Sequence, residues 1–344
     1  MHRACLCLLA VLGAAGLLLP AAPAQQSAAP SVAAVAPNLA RLDQTIDGLD
    51  GPGFGLAYSE EGGVLAAACE GGTIQYWHRG EVLGIRQGSG TPNVLEGHRG
   101  PVTALAWGGT VLASAGADER IILWSMPAGK LSRKVAAGAA VRALAMSPDA
   151  KTLASGGDDS DVRLWEVASG KPRGKLAGHT DWVLCLAFSA DGKFLASGSQ
   201  DGTMRLWDVA SGKQQGQAAL PKPSEDPAPA ILAVAFSPDG KQLALGAADG
   251  QIHLINTADG KLLRSLTGHG SSVTTVAFHA GGALLASGSK DRTVRLWTPA
   301  NGQLIKALEG HDAWVQGLTF VVGGTRLASV GADRTVRLWA LTPP

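Results

Sequence analysis

Residues 178–213 read GHTDWVLCLAFSADGKFLASGSQDGTMRLWDVASGK, and three short apolar runs stand out in them: VLCLAF, KFLASGS and TMRLWDV. SADGK and QDG separate these runs, and both are turn sequences in which Asp and Gly supply backbone conformations that a strand does not. A fourth strand is expected after the next turn, ASGK, in the more polar stretch leading to the following unit. Two of the runs are apolar on both faces, so the unit has to be covered on both sides. A segment this short cannot cover itself and must stack on copies of itself.

The copies are present. Trp207 closes the third run, and Trp77, Trp124, Trp165, Trp297 and Trp339 repeat it about forty residues apart, each six or seven residues after an acidic turn, with Ile255 filling the remaining gap. First runs recur as VTALAW from Val102, VRALAM from Val141, ILAVAF from Ile231, VTTVAF from Val273 and VQGLTF from Val315. Seven units follow. They predict one continuous repeat domain over residues 38–344 rather than two separate domains. Gly, at 46 of 344 residues, is near twice its usual share of about 7%, as tight turns between short strands require.

Gly-His, then Leu-Ala-Ser-Gly, then Asp followed six residues later by Trp is a pattern that resembles the WD-repeat β-propeller family over roughly residues 40–340. The resemblance implies an all-β, seven-bladed propeller with four antiparallel strands per blade. Its seventh unit reaches only a few residues past Trp339, while LARLDQTI (39–46) precedes the first unit, so the N-terminal segment is expected to supply the missing outer strand and clasp the ring. The family also implies a buried hydrogen-bonded chain in each blade, and four blades carry every member. The sets are His98, Ser114, Asp118 and Trp124; His179, Ser197, Asp201 and Trp207; His269, Ser287, Asp291 and Trp297; and His311, Ser329, Asp333 and Trp339. The third unit keeps Ser155, Asp159 and Trp165 but has AAGAA in place of Gly-His, and the fifth has Leu245 and Ile255 beside Asp249. Both are expected to lose the network. The first unit offers Trp77 with only Glu70 or Gly71 near the Asp position.

Ser, His and Asp together suggest a hydrolase triad, but a catalytic set is needed once and this one recurs in four units, so the chain is read as no enzyme. Each repeat His lies a full unit from the next, without zinc-site spacing, and Asp158, Asp159 and Asp161 read as a solvated turn rather than a calcium loop. No cofactor is expected. Basic and acidic residues number 29 and 28, and the motif arginines (Arg163, Arg205, Arg295, Arg337) fall one per unit, which argues against a nucleic-acid partner.

Residues 1–24 read as an export signal: Arg3, an apolar stretch from Cys5 to Leu19, and Ala22-Pro23-Ala24 as the cleavage site, with retention as an anchor the alternative. Residues 25–37 read as a flexible spacer, and the localisation expected is periplasmic or secreted. Cys69 and Cys185 fall in the first and fourth units, too far apart around a ring to bridge, and are expected to be buried free thiols.

If the repeated residues build the ring, function belongs to positions that vary: the loops before the first strand of each unit and the turns before the third. By the resemblance, that end docks proteins or peptides. Trp182 and Trp314 are the candidate anchors, with Asp181, Asp312, Gln200, Lys290 and Asp158 as polar contacts. The plainer reading has both tryptophans covering the inner strands. An enzyme or small-ligand protein using the channel mouth is the alternative function. The proline-rich stretch 213–230 reads as a rim loop or a docking segment.

Overall fold

The second strand of each blade is shut off from water on both faces, and Val64–Cys69 and Thr152–Gly157 are buried at every residue. This is the position that a sheet clamped between two neighbours imposes on its middle strands. In the computed structural model the described residues are 40–82, 92–221 and 228–341. The expected signal, the spacer, Cys5, Cys7 and residues 222–227 of the proline-rich stretch lie outside them.

Twenty-eight strands form seven four-stranded antiparallel sheets. With strands lettered a to d from the inside outward, blade 4 comprises Val183–Phe188, Phe194–Ser199, Thr203–Asp208 and Gln214–Ala219. Strand d of blade 4 therefore takes up six of the eighteen residues 213–230, the stretch that the sequence suggests is a rim loop or a docking segment. Inner strands of successive blades touch in sequence, and Val315–Val321 of blade 7 returns against Gly53–Ser59 of blade 1, so the ring closes. The closing strand is Ala40–Ile46, which pairs with Val336–Leu341 in the order 40–46, 336–341, 326–331, 315–321. Arg326 to Asp43 at 2.8 Å, and Lys306 Nζ donating to the Ala40 carbonyl at 2.6 Å, hold it in place.

Apolar cores lie between blades. Each blade Trp faces the blade before it: Trp207 packs on Val162, Leu164 and Leu176, and Trp297 packs on Ile252, Leu254 and Leu266. An aromatic of this size buries about 150–250 Å², so each indole is the main weld of its junction. Ile255 faces blade 4 in the same way, on Met204, Leu206 and Ala218. The turn between strands b and c places the residue after the motif Asp in the left-handed region. Gly202 has φ 75° there, while Glu119 and Arg292 hold it at 61° and 73°. At Gly202 a Cβ would also lie 2.5 Å from that of Ala228, and it is this close approach that requires glycine there.

Cys69 and Cys185 are buried and unbridged. The described helix content is one turn, Arg79–Val82, and no described helix is long and apolar enough to cross a membrane.

Candidate functional site

Four antiparallel strands per blade place the d–a connections and the b–c turns at one end of the ring and the a–b and c–d turns at the other. The Gly-His pairs sit in the d–a connections and the motif Asp in the b–c turns, so the polar sets join two loops of the same end. In blade 4, Trp207 Nε1 donates to Ser197 Oγ at 2.8 Å, Ser197 Oγ is 2.8 Å from His179 Nε2, and His179 Nδ1 is 2.9 Å from Asp201 Oδ2. The same three contacts run from Trp124 to Asp118, from Trp297 to Asp291 and from Trp339 to Asp333. A neutral imidazole protonated on Nδ1 satisfies every member, accepting from Ser and donating to Asp. The serines have no measurable exposure, so no substrate reaches a nucleophile there.

Blades 3 and 5 lose the continuous Trp-to-Asp chain, as the sequence predicts, but their turn carboxylates find other partners. In blade 3, Trp165 still donates to Ser155 at 2.8 Å, and Asp159 takes Arg163 at 2.5 Å in place of the absent His. In blade 5, His253 stands at the arginine position of strand c and lies 3.2 Å from Asp249 and 2.9 Å from Ser265 Oγ. In blade 1 the turn position is Gly71, and the missing carboxylate comes from Asp50 of the incoming d–a segment. Thr73 Oγ1 donates to it at 2.8 Å, as Thr203 and Thr293 donate to their own turn Asp at 2.7 Å. Blade 1 has Ala67 at the serine position, opposite Gln75, and Trp77 Nε1 is buried without a partner.

Both candidate tryptophans reach solvent on the d–a and b–c end, Trp182 at 42% and Trp314 at 51% exposure. Each carries a cation on its ring. Arg142 Cζ lies 4.1 Å from the centroid of Trp182, and Lys290 Nζ lies 4.6 Å from that of Trp314. Asp158 and Lys290 hold the same b–c position, immediately before the motif Asp of blades 3 and 6, so the two corners are built alike. They differ in charge. Asp158 pairs with Arg142 and neutralises it, whereas Lys290 makes no ion pair among the described residues. The Asp181 carboxylate accepts from the Trp182 amide at 2.7 Å, and the Gln200 amide donates to the Trp182 carbonyl at 2.9 Å. Asp312 is 91% exposed at its side chain and 3.8 Å from Arg337. The sequence candidates thus fall into two corners three blades apart, one at the junction of blades 3 and 4 and one at that of blades 6 and 7.

Arg142 is the residue that the sequence reading missed. It is the one charged residue at the second position of strand a, where the other units carry Phe54, Thr103, Leu184, Leu232, Thr274 and Gln316, and that contrast was available from the alignment of repeats. Asp161 is taken up by Lys175 at 2.5 Å and Arg163 at 3.8 Å, so the acidic turn is neutralised from within.

A ring of seven four-stranded blades with a Trp-to-Asp chain in four of them defines a repeat propeller whose variable surface is its loops. The chain belongs to the WD domain, G-beta repeat family, which matches residues 91–125, 129–166, 170–208, 260–298 and 302–340. Residues 213–269, across blade 5, are similar to the Anaphase-promoting complex subunit 4 WD40 domain. No curated protein matches the chain closely. Propellers of this family serve in general as non-catalytic protein-interaction scaffolds.

Proposed function

We propose that the protein is an exported, non-catalytic scaffold that binds a protein or peptide on its d–a and b–c face, with Trp182 and Trp314 as the two anchors. The observation that carries this reading is the pair of half-exposed indoles, each lying under a cation on one rim. Large flat side chains ringed by polar groups are where binding energy concentrates, because they bury much area at little entropic cost. Lys290, free of an ion pair among the described residues, adds positive charge at the second corner, so the partner carries an acidic group beside its apolar contact there. Export rests on the composition of residues 1–24, and the mature chain is expected to begin at Gln25.

The test is affinity capture with the mature chain and with the Trp182→Ala/Trp314→Ala double variant. Loss of the captured partner with a melting temperature held within about 2 °C supports the reading, since exposed side chains contribute little to folding. Undiminished capture by the double variant overturns it. N-terminal sequencing of protein recovered outside the cytoplasm tests the export part separately.

A further inference from the structure

At each junction, the outer strand d of one blade looks across at the c–d turn of the next. In two junctions an arginine straps the gap. Arg133 of blade 2, opposite Leu123, donates Nη2 to the Ala168 carbonyl of blade 3 at 3.2 Å. Arg264 of blade 5, opposite Leu254, donates Nη1 and Nη2 to the Asn301 and Ala300 carbonyls of blade 6 at 2.6 and 3.0 Å. The arginine stem lies flat on the turn glycine, since a Cβ on Gly302 would meet Arg264 Cδ at 2.6 Å.

Between blades 4 and 5 three parts of this joint change together. Gly216 stands opposite Leu206 at the strap position, Ile255 replaces the blade Trp, and Ala218 replaces the leucine that Leu176 supplies one junction earlier. Blade 3 also has a glycine, Gly174, at its strap position, but there Trp207 and Leu176 fill the joint, and Leu176 Cδ2 lies 3.4 Å from where a Cβ on turn Gly212 would stand. Losing one part leaves a closed seam. Losing all three opens a cleft of about 800 Å³ floored by Phe194, Met204 and Leu206 and walled by the turn from Asn256 to Gly260.

Two independent features say what the cleft is shaped for. In its wall, the carbonyls of Ala258 and Asp259 are the counterparts of those that Arg133 and Arg264 bind, and Gly216 sends no side chain to them. The second feature is the edge strand Gln214–Ala219, QQGQAA. It has no charged residue, whereas the other six outer strands contain Asp43, Glu96, Lys134, Lys175, Arg264 or Lys306. Charge on an edge strand repels an added strand, and its absence here leaves the backbone ready to pair.

We infer that the cleft between blades 4 and 5 is a docking site for an extended segment of a partner protein, which adds to the edge strand Gln214–Ala219 and lays an arginine across the 256–260 turn. The guanidinium donates to the Ala258 and Asp259 carbonyls, as Arg264 does to Ala300 and Asn301. The arginine stem covers Met204 and Leu206. Asp239 and Asp259 stand at the rim with opposite charge, and each already has a lysine nearby, Lys241 at 3.9 Å and Lys261 at 3.2 Å. Arginine suits this site better than lysine because two carbonyls side by side need a forked donor. The cleft is separate from the Trp182 and Trp314 face and does not depend on it.

The test is fluorescence anisotropy of the labelled pentapeptide Thr-Val-Arg-Val-Thr, titrated with the mature chain. Saturable binding is expected, at least tenfold weaker when norleucine replaces the peptide arginine. Gly216→Arg, which restores the sibling strap, should weaken binding at least tenfold while raising the melting temperature. Trp182→Ala/Trp314→Ala should leave it unchanged, which separates this site from the loop face. Equal affinity for the norleucine peptide, or undiminished binding by folded Gly216→Arg, overturns the proposal. If Gly216→Arg does not fold, Gln215→Lys/Gln217→Lys puts charge on the edge, and undiminished binding then overturns strand addition. A dimer that Gly216→Arg abolishes and the peptide does not compete with would make a second copy the occupant, and would also overturn it.

Discussion

Trp207 does two jobs with one side chain: its ring welds blade 4 to blade 3, and its N–H starts the chain through Ser197 and His179 to Asp201. Trp207→Ala removes the ring and leaves the Ser197 hydroxyl one donor short. A loss of about 3–5 kcal/mol is expected in urea denaturation, as for other large core truncations. A change under about 1 kcal/mol would mean that the junction does not depend on the indole. The acidic ends of these chains set a pH dependence. Burial alone would raise the Asp291 carboxyl, but hydrogen bonds from Thr293, Gly270 and His269 overcome it and bring it down to about 2 from 3.8. Asp333 is brought to about 2 in the same way by His311, the Asp312 amide and Thr335. The unfolded chain therefore takes up these protons first, and the stability they contribute is complete above about pH 4 and lost as the pH falls through 2. His269 is held below 6.5 by burial, against the pull of Asp291. Its neutral form is the folded one, so its contribution also fades as the pH drops below about 6.5. Thermal melts from pH 8 to 3 should show a shallow decline starting near 6.5 and a steep one below 4, and His269→Gln should flatten the shallow part. A melting temperature that stays level from pH 7 to 5 in the parent chain contradicts the His269 assignment.

Within a blade, the resemblance to the WD-repeat family told which residues lie on one chain of hydrogen bonds, and the repeat pattern located those positions in each unit. Where members are missing, the chain is broken as the sequence predicts, but the pattern did not say what the turn carboxylate pairs with instead: Arg163 turns in to Asp159 in blade 3, and His253 to Asp249 in blade 5. Any donor within reach can take a half-buried carboxylate, and the motif alone does not say which neighbour that is. In blade 1 Trp77 Nε1 is unpaired, with Ala67 at the position that carries serine in the complete blades. Ala67→Ser places a hydroxyl where Ser114 and Ser197 stand in their blades and should stabilise the protein by about 1 kcal/mol in a denaturant titration. A destabilised variant would show that strand b of blade 1 lacks room for the oxygen.

Across the molecule, closure depends on Ala40–Ile46. This strand covers the edge of Val336–Leu341, and Ala40 is 1% exposed within the core that also holds Trp339 and Leu308. Deleting residues through Ile46 bares that edge and removes Ala40 from the core between blades 6 and 7. The shortened chain should aggregate during size-exclusion chromatography and lose its single cooperative melt, since an unpaired apolar edge pairs with other chains. A monomer with unaltered melting would show that the ring does not need its clasp.

By itself, the sequence determined the number of units and the strands in each, which follow from a period of about forty residues and from patterns shorter than that period. The N-terminal clasp followed from the outer strand that the last unit lacks, and the members of the four polar chains from the resemblance to the WD-repeat family. The tertiary structure alone decided what meets across a junction: Arg142 on Trp182, Lys290 on Trp314, Asp50 at Thr73, and the cleft left by Gly216, Ala218 and Ile255 together. Those partners belong to neighbouring units or to opposite ends of one unit. No local spacing records them, because only the stacking of one sheet on the next sets which side chains touch.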